Sequence, residues 1–203
     1  FSGRGPTEDN RIKPNLCAPG IGIISAQGGT TNGYWSMDGT SFSTSCANGS
    51  IGLIRSYLAS GYYPTGAANP PDSIRYISSA LVRAMAMVSA DPNIGPYDPP
   101  SFNIGWGRID IDSVLYFAGD SRRLIIKDDT NGVMPGQSKT DSFNVNSAIP
   151  LRICVAWADT AAAAYASRTL INDVNVQLVS PSGAYYRGNL YTAGQSTANP
   201  AAW

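Results

Sequence analysis

The chain has 203 residues, 43% hydrophobic and 14% charged, which is enough apolar material for one large domain or two small ones. Its 14 basic and 14 acidic side chains cancel, leaving no electrostatic case for nucleic acid or an anionic membrane surface. No segment approaches the ~18 uninterrupted apolar residues of a membrane span, and low charge with 21 Gly, 14 Pro and 11 Tyr fits a secreted, loop-rich protein.

Residues 1 to about 120 mix Gly/Pro-rich loops with helical patterns. The first predicted helix runs from about Thr40 to Ala59, with Ile51, Leu53, Ile54 and Leu58 among small residues, so it is expected to be buried on most sides. "SGYYPTG" ends it, with Gly61 as the C-cap and Pro64 beyond. A second helix is predicted to start at Pro71-Asp72 and to end near Val88. Within it Ile74, Ile77, Leu81 and Met85 recur at three- and four-residue spacing. "IGWGRIDIDSVLYFA" then reads as a tight glycine turn leading into a short helix.

From about Ser121 the pattern changes to strands: "RRLIIKD", "KTDSFNV", "PLRICVAWAD", "NDVNVQLVSP" and "AYYRGNL", separated by turn signals such as "TNG" and "PSG". Residues 121–203 are therefore expected to form an all-β sandwich or jelly roll, incomplete at Trp203. Cys17, Cys46 and Cys154 are too few for a disulfide framework and sit among small or apolar neighbours, so buried free thiols are expected, with one disulfide plus a leftover thiol as the alternative. With no histidine and no C-x-x-C pair, a zinc site is not expected. The chain opens on Phe1 and closes at "STANPAAW"; both ends read as cut, and a longer parent polypeptide is expected.

The chemistry centres on "MDGTSFSTSCANG", residues 37–49. Ser41 follows Gly39-Thr40, where backbone can approach a ligand closely, and it opens a helix whose amides and dipole favour an anionic transition state. Serine is also a favoured helix cap. From these residues alone, nucleophile and cap both stay open.

The flanking segments narrow the choice. Phe1-Ser2-Gly3-Arg4-Gly5-Pro6, Lys13-Pro14-Asn15-Leu16-Cys17-Ala18-Pro19-Gly20, Gly39-Thr40-Ser41 and "GWGRID" at 105–110 follow one another at fitting intervals. In that order they resemble the C-terminal part of the subtilisin-family catalytic domain. The stretch from Pro150 to Asn189 is similar to the β-sandwich that follows that domain in certain bacterial alkaline proteases, akin to the kexin-type accessory domain. The resemblance implies an α/β fold: the C-terminal half of a subtilisin-like parallel-sheet domain over 1–120, then a jelly-roll-like sandwich over 121–203.

By the same resemblance Ser41 would be the acylating nucleophile, its own N–H contributing to an oxyanion hole. Gly39, Thr40 and Asp38 would contact a peptide or protein substrate. Asn172 and Asp173 would lie where such β-domains sometimes hold a structural calcium ion; no cofactor is implied for the chemistry. Two positions depart from the family pattern: Ser45 replaces the proline four residues after the nucleophile, and Asn15 replaces the aspartate after Lys-Pro. The family's triad aspartate and histidine, and its oxyanion asparagine, belong upstream of the matching region. A missing N-terminal half is therefore the implied partner, and this chain alone is expected to be inactive and poorly stable. The rival reading is a non-catalytic pseudoprotease or a β-sandwich binding or assembly module. A protease domain fused to a membrane protein is a third.

Overall fold

The computed structural model describes residues 1–146 and 148–201. Ser147, Ala202 and Trp203 lie outside the described residues, and with them the expected break of the sandwich at Trp203. The fold is mixed α/β and divides into two compact units.

One unit comprises Phe1–Ser50, Ala90–Asp110 and the chain from Ala158 onward. Strands β1 (Ile23–Ala26) and β2 (Tyr34–Met37) pair antiparallel, from Ile23 opposite Met37 to Ala26 opposite Tyr34. The glycine-rich loop between them closes through Gln27 N–H to the Gly33 carbonyl at 2.9 Å. This hairpin was not anticipated from sequence. Its β-branched and aromatic residues are short runs either side of "QGGTTNG", a segment that reads first as loop.

Strands β3 (Gln177–Val179), β4 (Tyr185–Thr192) and β5 (Gln195–Ala198) form an antiparallel sheet in that order. The "PSG" turn joins the first two, with Ser180 N–H donating to the Ala184 carbonyl at 2.8 Å. The strands expected near 172–181 and 184–190 therefore form in part. No ladder includes 122–128, 139–145 or 150–159 among the described residues. A local preference for extended backbone does not by itself supply the neighbouring strand that a ladder needs.

The other unit comprises Ile51–Ser89 and Ile111–Trp157. Its core is built on Ile54, Leu58 and Met85, all essentially inaccessible, with Leu81, Val82, Ala86, Val114 and Tyr116 around them. Each Ile, Leu, Val and Met side chain among these contributes roughly 1.5–3 kcal/mol by leaving water. Tyr57 stacks on Tyr62 and meets Phe117 edge-on, with centroids 5.4 and 5.6 Å away, and donates its hydroxyl to the Tyr116 carbonyl at 2.6 Å.

Helix α1 (Thr40–Ala59) occupies the predicted span, and Gly61 adopts φ +72 just beyond it. Helix α2 (Ser79–Val88) ends where expected but starts eight residues late. Pro70–Asp72 forms only a 3-10 turn, and residues 73–78 form no regular element. Ser78 is the true cap. Its Oγ accepts from Leu81 N–H at 2.9 Å, while Asp128 accepts both its N–H and its hydroxyl at 2.9 and 2.6 Å. A carboxylate fifty residues downstream thus sets a boundary that local proline signals misplace.

Candidate active site

Helix α1 begins at Thr40 because Gly39 takes the cap position. The Gly39 carbonyl accepts from Phe42 and Ser43 N–H at 3.2 and 3.4 Å. Ser41 is therefore not a cap; it is the second helical residue, in the turn whose N–H groups lack intrahelical partners. Its side chain is exposed, and its hydroxyl makes no hydrogen bond among the described residues. Ser45, standing where the family pattern has proline, donates its hydroxyl back to the Ser41 carbonyl at 3.1 Å, and Thr44 does the same to Thr40 at 3.0 Å. The helix is regular without the proline.

What fixes the helix start is the Lys13–Gly20 segment. Gly20 carbonyl accepts from Gly39 N–H at 2.8 Å, and Ala18 carbonyl accepts from the Ser43 hydroxyl at 2.8 Å. Gly20 is buried against both. A Cβ there would sit 2.3 Å from Ser43 Oγ and 2.9 Å from the Gly39 carbonyl oxygen. Ser43, which sequence reasoning did not single out, is the pin between the two motifs. The only signal for it was the adjacency of a small hydroxyl residue to Gly39-Thr40-Ser41.

The glycine turn at 105–107 is docked on the same segment. Cys17 N–H donates to Gly107 carbonyl at 2.8 Å, and Ile109 N–H returns to Cys17 carbonyl at 2.9 Å. Gly105 has φ +60 and passes so close that a Cβ would lie 2.2 Å from the Pro14 carbonyl oxygen. Arg108 then pairs with Asp91 at 2.9 Å. The N–H of Asn93, with Arg108 in support, holds the Asp91 carboxyl below its ordinary range. Gly5 joins the cluster through its N–H to Phe102 carbonyl at 3.0 Å. All four sequence motifs thus converge within one unit.

Asp38 is exposed, and its Oδ1 accepts from Gly22 N–H at 2.7 Å, fastening the turn that precedes β1. Gly39 and Thr40 lie directly beside Ser41, on the backbone that enters the helix. Asn172 and Asp173 are elsewhere in this unit and point to separate partners. Asn172 donates its amide to Asp159 at 2.7 Å, while Asp173 pairs with Arg168 at 2.8 Å. Among the described residues no group of three or more His, Cys, Asp or Glu side chains gathers as a metal site would require.

A family model matches residues 1–107, the stretch that carries the first three motifs and the glycine turn that opens the fourth, and its description is the subtilase family of peptidases. The chain belongs to the subtilase family. Among curated proteins, this subtilase chain is 28% identical to a serine protease/ABC transporter B family protein (tagA) of Dictyostelium discoideum, over 97% of the chain and 12% of that protein. It is 37% identical to pyrolysin of Pyrococcus furiosus over 47% of the chain and 6% of that protein. A subtilisin-like protease of Arabidopsis thaliana is 32% identical over 53% of the chain and 13% of its own length. The chain therefore spans only a small fraction of these relatives. No solved structure matches it. No helix among its described residues is long and apolar enough to cross a membrane.

Proposed function

We propose that the chain is part of a serine endopeptidase in which Ser41 is the acylating nucleophile. The observation that carries this reading is the placement of an exposed, unengaged Ser41 hydroxyl in the first turn of a twenty-residue helix. That turn is pinned by a second family motif through Gly20 and Ser43. Ser41 Oγ would attack the scissile carbonyl of a peptide lying along Gly39 and Thr40, with Asp38 at its margin. The Ser41 N–H and the partnerless amides of the helix start would stabilise the oxyanion. Collapse of the tetrahedral adduct expels the amine and leaves an acyl-enzyme, which water then cleaves.

A proton acceptor is required, and the 203 residues contain no histidine. The histidine and aspartate of the triad are proposed to come from a further part of the polypeptide, and the chain by itself is proposed to be inactive. The relatives named as proteases are much longer than the matched region, which fits that division. Residues 1–120 are then the C-terminal portion of a parallel-sheet peptidase domain, and 121–203 part of a jelly-roll accessory domain of the kexin type. The antiparallel β3–β5 sheet supports the latter. An extracellular location belongs to the same proposal.

The experiment is fluorophosphonate labelling and peptide hydrolysis with the full-length protein. Labelling at Ser41 is expected, with Ser41→Ala abolishing it and lowering kcat/KM by at least about a thousandfold. A folded full-length protein that leaves Ser41 unlabelled would overturn the proposal in favour of a non-catalytic pseudoprotease or binding module.

Calcium at Asn172 and Asp173 is proposed only as a structural ion, with no step in the chemistry. Two carboxylates and one amide oxygen, from Asp159, Asp173 and Asn172, fall short of the six to eight oxygens calcium takes, and Arg168 would have to release Asp173. The expected result is a melting temperature that rises with calcium and no longer does so in Asp173→Asn. Equal melting with calcium and with chelator discards the site.

A further inference from the structure

We propose that residues 159–172 form a closed loop that clasps the Thr7–Arg11 segment through Asp9. The region after the family-matched residues then acts as a strap on the part of the chain bearing the motifs. Two sets of contacts within one compact unit carry this.

The first set closes the loop. The Asp159 carboxylate accepts from Thr160 N–H at 2.8 Å at one end of the loop. At the other end it accepts from Ile171 N–H at 2.8 Å and from the Asn172 backbone and side-chain amides at 3.1 and 2.7 Å. Fourteen residues are thereby tied end to end by a single carboxylate, the arrangement of a compact surface loop.

The second set grips it. Asp9 Oδ2 accepts from Thr169 N–H at 3.0 Å and from the Thr169 hydroxyl at 2.6 Å. Asp9 Oδ1 accepts from the Thr7 hydroxyl at 2.7 Å and, with Oδ2, from Arg11 Nε at 2.9 Å. Arg11 also donates through Nη2 to Thr169 Oγ1, so that hydroxyl is used as donor and acceptor at once. The Asp9 side chain is only 6% accessible, and a carboxylate so covered is costly to leave without these donors. The Thr169 hydroxyl foremost, then its N–H, then Thr7 and Arg11, hold the Asp9 carboxyl well below the usual carboxylate range.

The strap extends the subtilase reading without depending on catalysis, because its test needs no activity. Hydrogen exchange of the full-length protein is measured for the native sequence and for Asp9→Asn, alongside trypsin cleavage after Arg168, the bond immediately before Thr169. Asp9→Asn is expected to speed exchange at Ile171 and Asn172 and cleavage after Arg168 by about tenfold, with α1 and α2 amides unchanged. If that variant does not fold, Thr169→Val, which removes only the hydroxyl, should give a smaller increase confined to the loop. Unchanged loop exchange and cleavage in a folded variant overturn the strap. An equal increase in Asp129→Asn, an exposed carboxylate of the other unit paired with Lys139, also overturns it, since the effect would then be general loosening.

Discussion

At Gly20 a single hydrogen atom decides the geometry of the candidate active site. The Lys13–Gly20 segment meets the start of α1 across two hydrogen bonds, and the space between them admits no methyl group. Gly20→Ala must displace either Ser43 or the Gly39 carbonyl, and the latter is the cap that sets where Ser41 stands. The expected cost is about 1–3 kcal/mol in denaturant unfolding. In full-length protein, loss of Ser41 labelling should exceed any loss of folded population. A fully stable, fully labelled Gly20→Ala would mean the two motifs are not in register as described. At this scale the sequence was informative where the constraint is local. Ser41 was legible from its neighbours, but its position inside the helix was not, because glycine at the cap leaves no side-chain signature. Asp9 was silent for another reason: its partner Thr169 is 160 residues away, and no pattern of spacing reveals a bond formed by tertiary docking.

Helix α1 shows when element boundaries are readable and α2 when they are not. The span of α1 follows from glycines at both ends, Gly39 and Gly61, which act through their own backbone. That of α2 depends on Ser78 and Asp128 acting together. The Pro70-Pro71-Asp72 signal upstream nucleates only a single 3-10 turn. Ser78→Ala removes the bond to Leu81 N–H and one of the two contacts from Asp128. It should lower stability by about 1 kcal/mol and speed amide exchange in the first turn of α2 specifically. An unchanged denaturation midpoint would show that the Asp128–Ser78 N–H contact alone holds the helix start. The strands forecast at 122–128, 139–145 and 150–159 failed for a complementary reason. β-propensity describes a residue's fit to a half-buried pleated surface, and it cannot create the neighbouring strand that makes the surface.

For the whole molecule, the informative quantity is the apolar surface left in water. Ile24, Tyr34 and Trp35 of the β1–β2 hairpin are 70%, 75% and 57% exposed, and Ile21 and Met37 flank them. No charged residue occurs between Lys13 and Asp38, so neither edge of this two-stranded sheet carries the usual protection against pairing with another chain. The isolated chain is therefore expected to self-associate at micromolar concentration and to bind a hydrophobic dye. Ile24→Lys with Trp35→Lys should reduce both. Sedimentation as a monomer with a single cooperative melt would contradict this. The α/β class was legible through the resemblance carried by the four motifs, while periodicity marked only the individual helices and some of the strands. The pattern of exposure was not legible, since it depends on which surfaces meet.

The three cysteines offer a practical opening. All are free thiols and half-buried, and Cys17 gives its Sγ–H to the Ile104 carbonyl at 3.5 Å. Burial raises the Cys17 thiol above its ordinary range and pushes that of Cys154 up to about 11. Near neutral pH both stay in the protonated, weakly nucleophilic form, slow towards maleimides and peroxide alike. Cys46 lies five residues along α1 from Ser41, and in a Cys17→Ala, Cys154→Ala variant a fluorophore on it would report the docking of a peptide or of a further segment beside the helix.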